Sequence, residues 1–176
     1  MGMSIFSLTL EKINSMSRME FVESLGGIFE HSPWVAERAF QQSPFRSVDQ
    51  LHSTMLEIAR TAEQSQIEAL LRAHPDLATK LQVTPLSAAE QQGAGLDRLL
   101  PEEFILLNDL NKKYTDKFHF PFILAVRGKN KEDIMNAISK RVNRSLQEEW
   151  EQALDEIGTI TKFRLRDLIM DGGTLL

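Results

Sequence analysis

No cysteine occurs anywhere in the 176 residues, which excludes disulfides, iron–sulfur clusters and thiolate zinc sites. The absence fits a reducing compartment. The chain also lacks an uninterrupted apolar run of the ~20 residues needed to cross a bilayer. It has no block of like charge that would mark a polyanion surface. The patterns G-x-G-x-x-G, the P-loop, G-x-S-x-G and H-E-x-x-H are all missing. Nucleotide cofactors, nucleophile-elbow hydrolysis and a helical zinc site therefore have no support. The opening "MGMSIFSLTLEK" has no basic region before a long apolar stretch, and Phe6 stands where a myristoylation pattern needs Ser or Thr. The closing "DGGTLL" is not a peroxisomal address. These absences predict a cytoplasmic protein without nucleic-acid or membrane partners and without a metal.

What the chain does have is helix punctuation. At 42% hydrophobic it has the material for a core without staples. Ser17–Glu20, Ser47–Gln50, Ser65–Glu68, Ser87–Glu90 and Ser145–Glu148 all carry capping-box spacing. Ser32-Pro33 and Leu100-Pro101 add starts with proline at the first helical position. Apolar residues then return at three and four, as in Val48, Leu51, Met55, Ile58 and Ala59, or Phe104, Leu107, Leu110 and Tyr114. Ile134, Ala137, Ile138 and Val142 repeat the pattern. The spacing predicts helices near 18–25, 33–41, 48–60, 64–73, 88–98, 101–117, 131–144 and 146–170. No repeat or linker divides the chain, so the expected fold is a single all-α domain over 1–176 with about eight helices.

One stretch breaks the pattern. "HFPFILAV", residues 119–126, is aromatic and β-branched with Pro121 inside it. It reads as a buried extended segment with no partner strand, whose amides need side chains, water or a ligand. Periodicity alone leans the other way, toward an apolar helix starting after Pro121.

Four histidines are present, at 31, 52, 74 and 119. His52 follows Leu51 on a predicted helix and reads as a surface or boundary residue. His31 precedes the Ser-Pro start, as a capping neighbour or a pocket residue, and His119 reads as a turn residue. His74 differs because Pro75 pushes it out of the helical region. The helix must break there, and the imidazole projects from a stiff corner, which suits a group that moves a proton in fixed geometry. A histidine at such a corner is nevertheless more often structural. Ser87–Gln91, "SAAEQ", carries the same ambiguity. Ser87 and Glu90 can be a cap and its box. Alternatively, the helix start offers amides and a positive dipole end to an anionic or ureido oxygen.

Taken in order, "GGIFEHSPWVAERAF", "LLRAHPDLA", "SAAEQQGAGLDRL" and "FPFILAVRG" resemble the OHCU decarboxylases, enzymes of 2-oxo-4-hydroxy-4-carboxy-5-ureidoimidazoline. The stretch "ISKRVNRSLQEEWEQALDEIGTITKFRLRDLI" looks like that family's ending, so the similarity runs from about Phe6 to Ile169. The resemblance implies an all-helical, cofactor-free, homodimeric decarboxylase that completes the conversion of urate to (S)-allantoin. Matched residue by residue, it makes His74 the proton-handling group, with Pro75, Ser87, Ala88, Ala89, Glu90 and Gln91 as substrate contacts. The main chain of Phe122, Ile123, Leu124, Ala125 and Val126 would complete them. Glu90 is expected to orient or polarise the substrate, and Arg127 is a candidate for charge steering. Two departures stand out: His119 replaces a glycine frequent in the family, and the stretch from His74 to Ser87 is shorter than in some members. Two other readings fit the same residues. One is a same-fold decarboxylase of a different ureido or α-hydroxy acid; the other is a noncatalytic helical interaction domain.

Overall fold

A computed structural model describes residues 8–78 and 84–170; Phe6, where the resemblance begins, is among those outside it. The described residues form nine α-helices: α1 (Leu10–Asn14), α2 (Arg18–Leu25), α3 (Trp34–Phe40), α4 (Val48–Arg60), α5 (Gln64–Arg72), α6 (Pro85–Gly93), α7 (Pro101–Phe118), α8 (Lys131–Arg141) and α9 (Leu146–Leu168). A 3-10 turn, Leu96–Arg98, follows α6. The fold is all-α. Its sole extended pairing among the described residues is an isolated parallel bridge, Leu8 with Ile169.

Local chemistry sets several of these bounds. Ser17 and Glu20 form the reciprocal box at the start of α2, and Ser145 and Glu148 do the same before α9. Ser47 caps α4 by accepting the Gln50 amide at 2.9 Å, but Gln50 returns its side chain to Arg46. Pro101 opens α7, and the Leu100 amide donates to Glu103 at 2.8 Å. Ser65 is not a cap, because α5 has already begun at Gln64. The short α1, capped by Thr9, lies outside every predicted range.

Two compact units emerge. The first comprises residues 1–70 and 158–176. Its interior is built from one face each of α2, α3 and α4, with Phe21, Leu25, Val35, Ala39, Leu51 and Met55 inaccessible to solvent. Each large side chain of this kind contributes roughly 1.5–3 kcal/mol on burial. Phe21 meets Phe40 edge-on at 5.4 Å. Two buried polar pairs close this unit: Glu30 with Arg164 at 2.9 Å, and His52 Nε2 with Thr161 Oγ1 at 3.0 Å. His52 is therefore a core residue, contrary to its surface reading. It sits on the buried stripe of α4 with Val48, Leu51, Met55 and Ala59.

The second unit comprises residues 71–157. Tyr114 on α7 anchors it, packing against Phe118 at 4.5 Å, Phe122 at 5.3 Å and Phe120 at 6.0 Å. The helix α7 ends at His119, whose left-handed φ of 66° turns the chain out of the helix. This is the conformation glycine adopts without strain, so His119 fills a turn that suits a glycine. Residues 121–126 then run without helix or turn, all buried. The helix favoured by periodicity does not form: Pro121 supplies no amide, and side chains of α8 and α9 satisfy part of the irregular main chain instead.

Candidate active site

The expected site residues all fall within the second unit, beginning with the corner after α5. The His74 amide donates to Leu71 O at 3.3 Å, closing the last turn, and the residue is buried. Pro75 is half-buried and Asp76 exposed; partial desolvation raises the Asp76 carboxyl above its ordinary value. Three side-chain bonds brace the corner. Arg72 Nε donates to His119 O at 3.0 Å, Asn111 Nδ2 to Leu77 O at 3.1 Å, and the Ala78 amide to Gln91 Oε1 at 2.8 Å. Ala78 itself is left-handed, with φ 59°. These bonds link the His74 corner to α6 at one end and to the residues before 121–126 at the other.

The start of α6 differs from expectation. Thr84 is the cap, accepting the Ser87 amide at 3.2 Å, and Pro85 occupies the first turn. Ser87 is thus inside the helix, and the Ala88 amide already bonds Thr84 O at 2.9 Å. The reading of Ser87 as a cap with open amides after it is overturned: a Thr-Pro start one turn earlier takes that role. What this helix offers is side chains. Ser87 and Gln91 lie one turn apart on one face, Ser87 buried and Gln91 half-buried, with Glu90 half-buried beside them. Ala88 and Ala89 are exposed.

Phe122, Ile123, Leu124, Ala125 and Val126 are all buried. Their main chain is partly engaged already. Ile123 O accepts from Arg141 Nη1 at 2.8 Å, the Ala125 amide donates to Glu156 Oε1 at 2.8 Å, and Val126 O accepts from the Lys129 amide at 3.0 Å. Arg127 is exposed in that last turn.

Sequence reasoning missed the polar scaffold behind these walls. Glu149, fully buried, accepts from Tyr114 Oη, from Arg141 Nε at 2.9 Å and from Arg144 Nη1 at 3.0 Å. Burial, reinforced by the Glu149 carboxylate, pushes the Tyr114 phenol far above its usual range. Two buried side-chain atoms lack a partner among the described residues, Asn111 Oδ1 and Arg141 Nη2. A signal for them existed. Asn111 sits in the Leu107–Tyr114 stripe, and Arg141 follows Ile134 and Ile138 at helical spacing. A polar side chain on an apolar face needs a buried partner.

Comparison with known proteins places the chain in a family. The family model for OHCU decarboxylase matches residues 14–166. The chain is 42% identical over 160 residues to a 2-oxo-4-hydroxy-4-carboxy-5-ureidoimidazoline decarboxylase of Haloferax volcanii, covering 91% of this chain and 95% of that one. It is 44% identical to a uric acid degradation bifunctional protein of Bacillus sp. (strain TB-90), covering 94% of this chain but spanning only 33% of the relative's length. Among solved structures, an (S)-allantoin synthase is 31% identical with a TM-score of 0.77, over 92% of this chain and 54% of that one. A crystal structure of an OHCU decarboxylase in the presence of (S)-allantoin, 23% identical with a TM-score of 0.65, agrees in fold over 77% of this chain and 89% of that one. With the family model reaching from within α1 to within α9, and a near full-length relative at this identity, the chain belongs to the OHCU decarboxylase family.

Proposed function

We propose that this chain is a carboxy-lyase converting 2-oxo-4-hydroxy-4-carboxy-5-ureidoimidazoline to (S)-allantoin and carbon dioxide, in the breakdown of urate. The observation that carries this reading is the braced corner. A buried histidine, fixed by Pro75, is linked through Gln91 to the helix bearing Ser87 and Glu90.

The substrate carries its own electron sink. The bond from the ring carbon to its carboxylate breaks, and the electron pair enters the ring toward the neighbouring C=N, whose nitrogen takes a proton. The hydroxyl on the first carbon then becomes the carbonyl as it loses its proton. The carbon bearing the ureido group gains a proton on one face. His74 delivers that proton from a fixed direction, and the fixed direction gives the (S) product. Glu90 orients the substrate, with Pro75, Ser87 and Gln91 lining its position. Ala88 and Ala89 extend that contact surface, the main chain at 122–126 binds ring and ureido groups, and Arg127 steers the anionic substrate. The protein works as a cytoplasmic homodimer in this reading; sedimentation at micromolar concentration checks the dimer.

The test generates substrate in situ from urate with urate oxidase and hydroxyisourate hydrolase, and follows allantoin by circular dichroism. His74→Ala should lose roughly 10²–10⁴ in rate with its helical spectrum intact. Near wild-type turnover removes His74 from the mechanism. Glu90→Gln keeps the side chain's shape and removes its charge, so it should lose rate as well; undiminished turnover gives Glu90 a structural role only.

A further inference from the structure

We propose that Arg141 and Glu156 are positioning residues that stand in for a partner strand along one edge of residues 121–126, committing the opposite edge, the main chain of Phe122 and Leu124, to the substrate. The inference deepens the functional reading above and rests on it.

In an extended chain, residues two apart present their amide and carbonyl groups to the same edge. Arg141 Nη1 takes Ile123 O, and Glu156 Oε1 takes the Ala125 amide, each at 2.8 Å. One cationic donor and one anionic acceptor thus reproduce the alternating bonds that a neighbouring strand would make. Each gripping group is itself held. Arg141 lies 4.4 Å from the Phe122 ring centroid and donates through Nε to Glu149 at 2.9 Å. Glu156 Oε2 accepts from Gln152 Nε2 at 2.7 Å. Glu149, Gln152 and Glu156 follow one another at three and four along α9, so a single helix face supplies the whole support.

The other edge is different. Among the described residues, the amides and carbonyls of Phe122 and Leu124 make no hydrogen bond, although these residues are only 1% and 8% exposed. Buried main-chain groups are paired almost without exception, so this edge awaits a partner. A ureidoimidazoline presents alternating N–H and C=O groups in a plane, the pattern such an edge complements. Stability alone is a weak account of the Arg141–Glu149 pair, because well-packed apolar residues often replace a buried ion pair with little loss. Apolar replacements, however, bond neither Ile123 O nor the Ala125 amide.

The test has two arms on the full chain. Titrating ¹⁵N-labelled protein with (S)-allantoin should shift the Leu124 and Phe122 amides most; largest shifts at Ile123 and Ala125 overturn the proposal. In the kinetic arm, Glu156→Leu should raise KM about tenfold, with kcat within about threefold. Glu156→Gln keeps a carbonyl acceptor and should restore KM. A folded Glu156→Leu protein with wild-type KM also overturns the proposal. Turnover together with shifts on the wrong edge removes this inference alone. Absence of both turnover and allantoin shifts in the wild type removes the functional reading with it.

Discussion

Two buried arginines divide the molecule by purpose. In the first unit Arg164 donates to Ile28 O at 3.1 Å and to Glu30 at 2.9 Å, two partners from one short loop. In the second unit Arg141 also joins a carbonyl and a carboxylate, but from separate elements: Ile123 in the irregular segment and Glu149 in α9. Arg164 fastens a loop to a core. Arg141 sets the course of a main chain that has no strand beside it. Among the described residues the unpartnered buried side-chain atoms follow the same division, since both Asn111 Oδ1 and Arg141 Nη2 fall in the second unit. Polar groups buried for stability are satisfied within the fold. Those that shape a site keep bonding capacity in reserve.

The comparison breaks most visibly at Glu30. Glu30→Ala removes the carboxylate that pairs with the buried Arg164 guanidinium and should cost about 3–5 kcal/mol in urea unfolding, while folded protein retains wild-type kcat. A loss of kcat with unchanged stability would reverse the assignment of the two arginines. Asn111→Ala should do the opposite, releasing Leu77 O from the His74 corner. The expectation is a tenfold or larger drop in kcat/KM at a temperature where the protein is folded, with roughly 1–3 kcal/mol of stability lost. Unchanged kcat/KM would mean the corner needs no brace.

Smaller effects separate the units further. His119→Gly relieves a left-handed histidine and should stabilise by about 1 kcal/mol, read as a raised unfolding midpoint. In the first unit, burial chiefly lowers the His52 pKa below 6.5. The neutral form is therefore the native one. Its stability contribution is complete above pH 6.5 and is lost as the pH falls from there toward the lower folded value. His52→Gln should flatten unfolding free energy across that acidic window; an unchanged slope would assign the pH dependence elsewhere.

Much of this was legible from residues alone. The bounds of α2 and α4 match the expected 18–25 and 48–60, because cap, stripe and terminal residue agree there. Five-residue α1 escaped because so short a helix shows no full period. Ser65 and Ser87 misled for a shared reason: Ser-x-x-Glu spacing also occurs inside a helix, and at α6 Thr84-Pro85 was the stronger start. At the site, Pro75 made the His74 corner readable; spacing marked Arg141 as buried but not what it grips, and it did not mark Glu156 at all. Their significance comes from main-chain groups 18 and 31 residues away, beyond the reach of local spacing.

The proposed binding of substrate along the Phe122 and Leu124 edge has a consequence for inheritance. Every amino acid except proline carries the same amide and carbonyl, so no mutation at these positions other than one to proline erases the recognising atoms. Selection there acts on how well each buried side chain fills the core, as Phe122 does against Tyr114. Substrate recognition written in the main chain drifts only when its supports on α8 and α9 do.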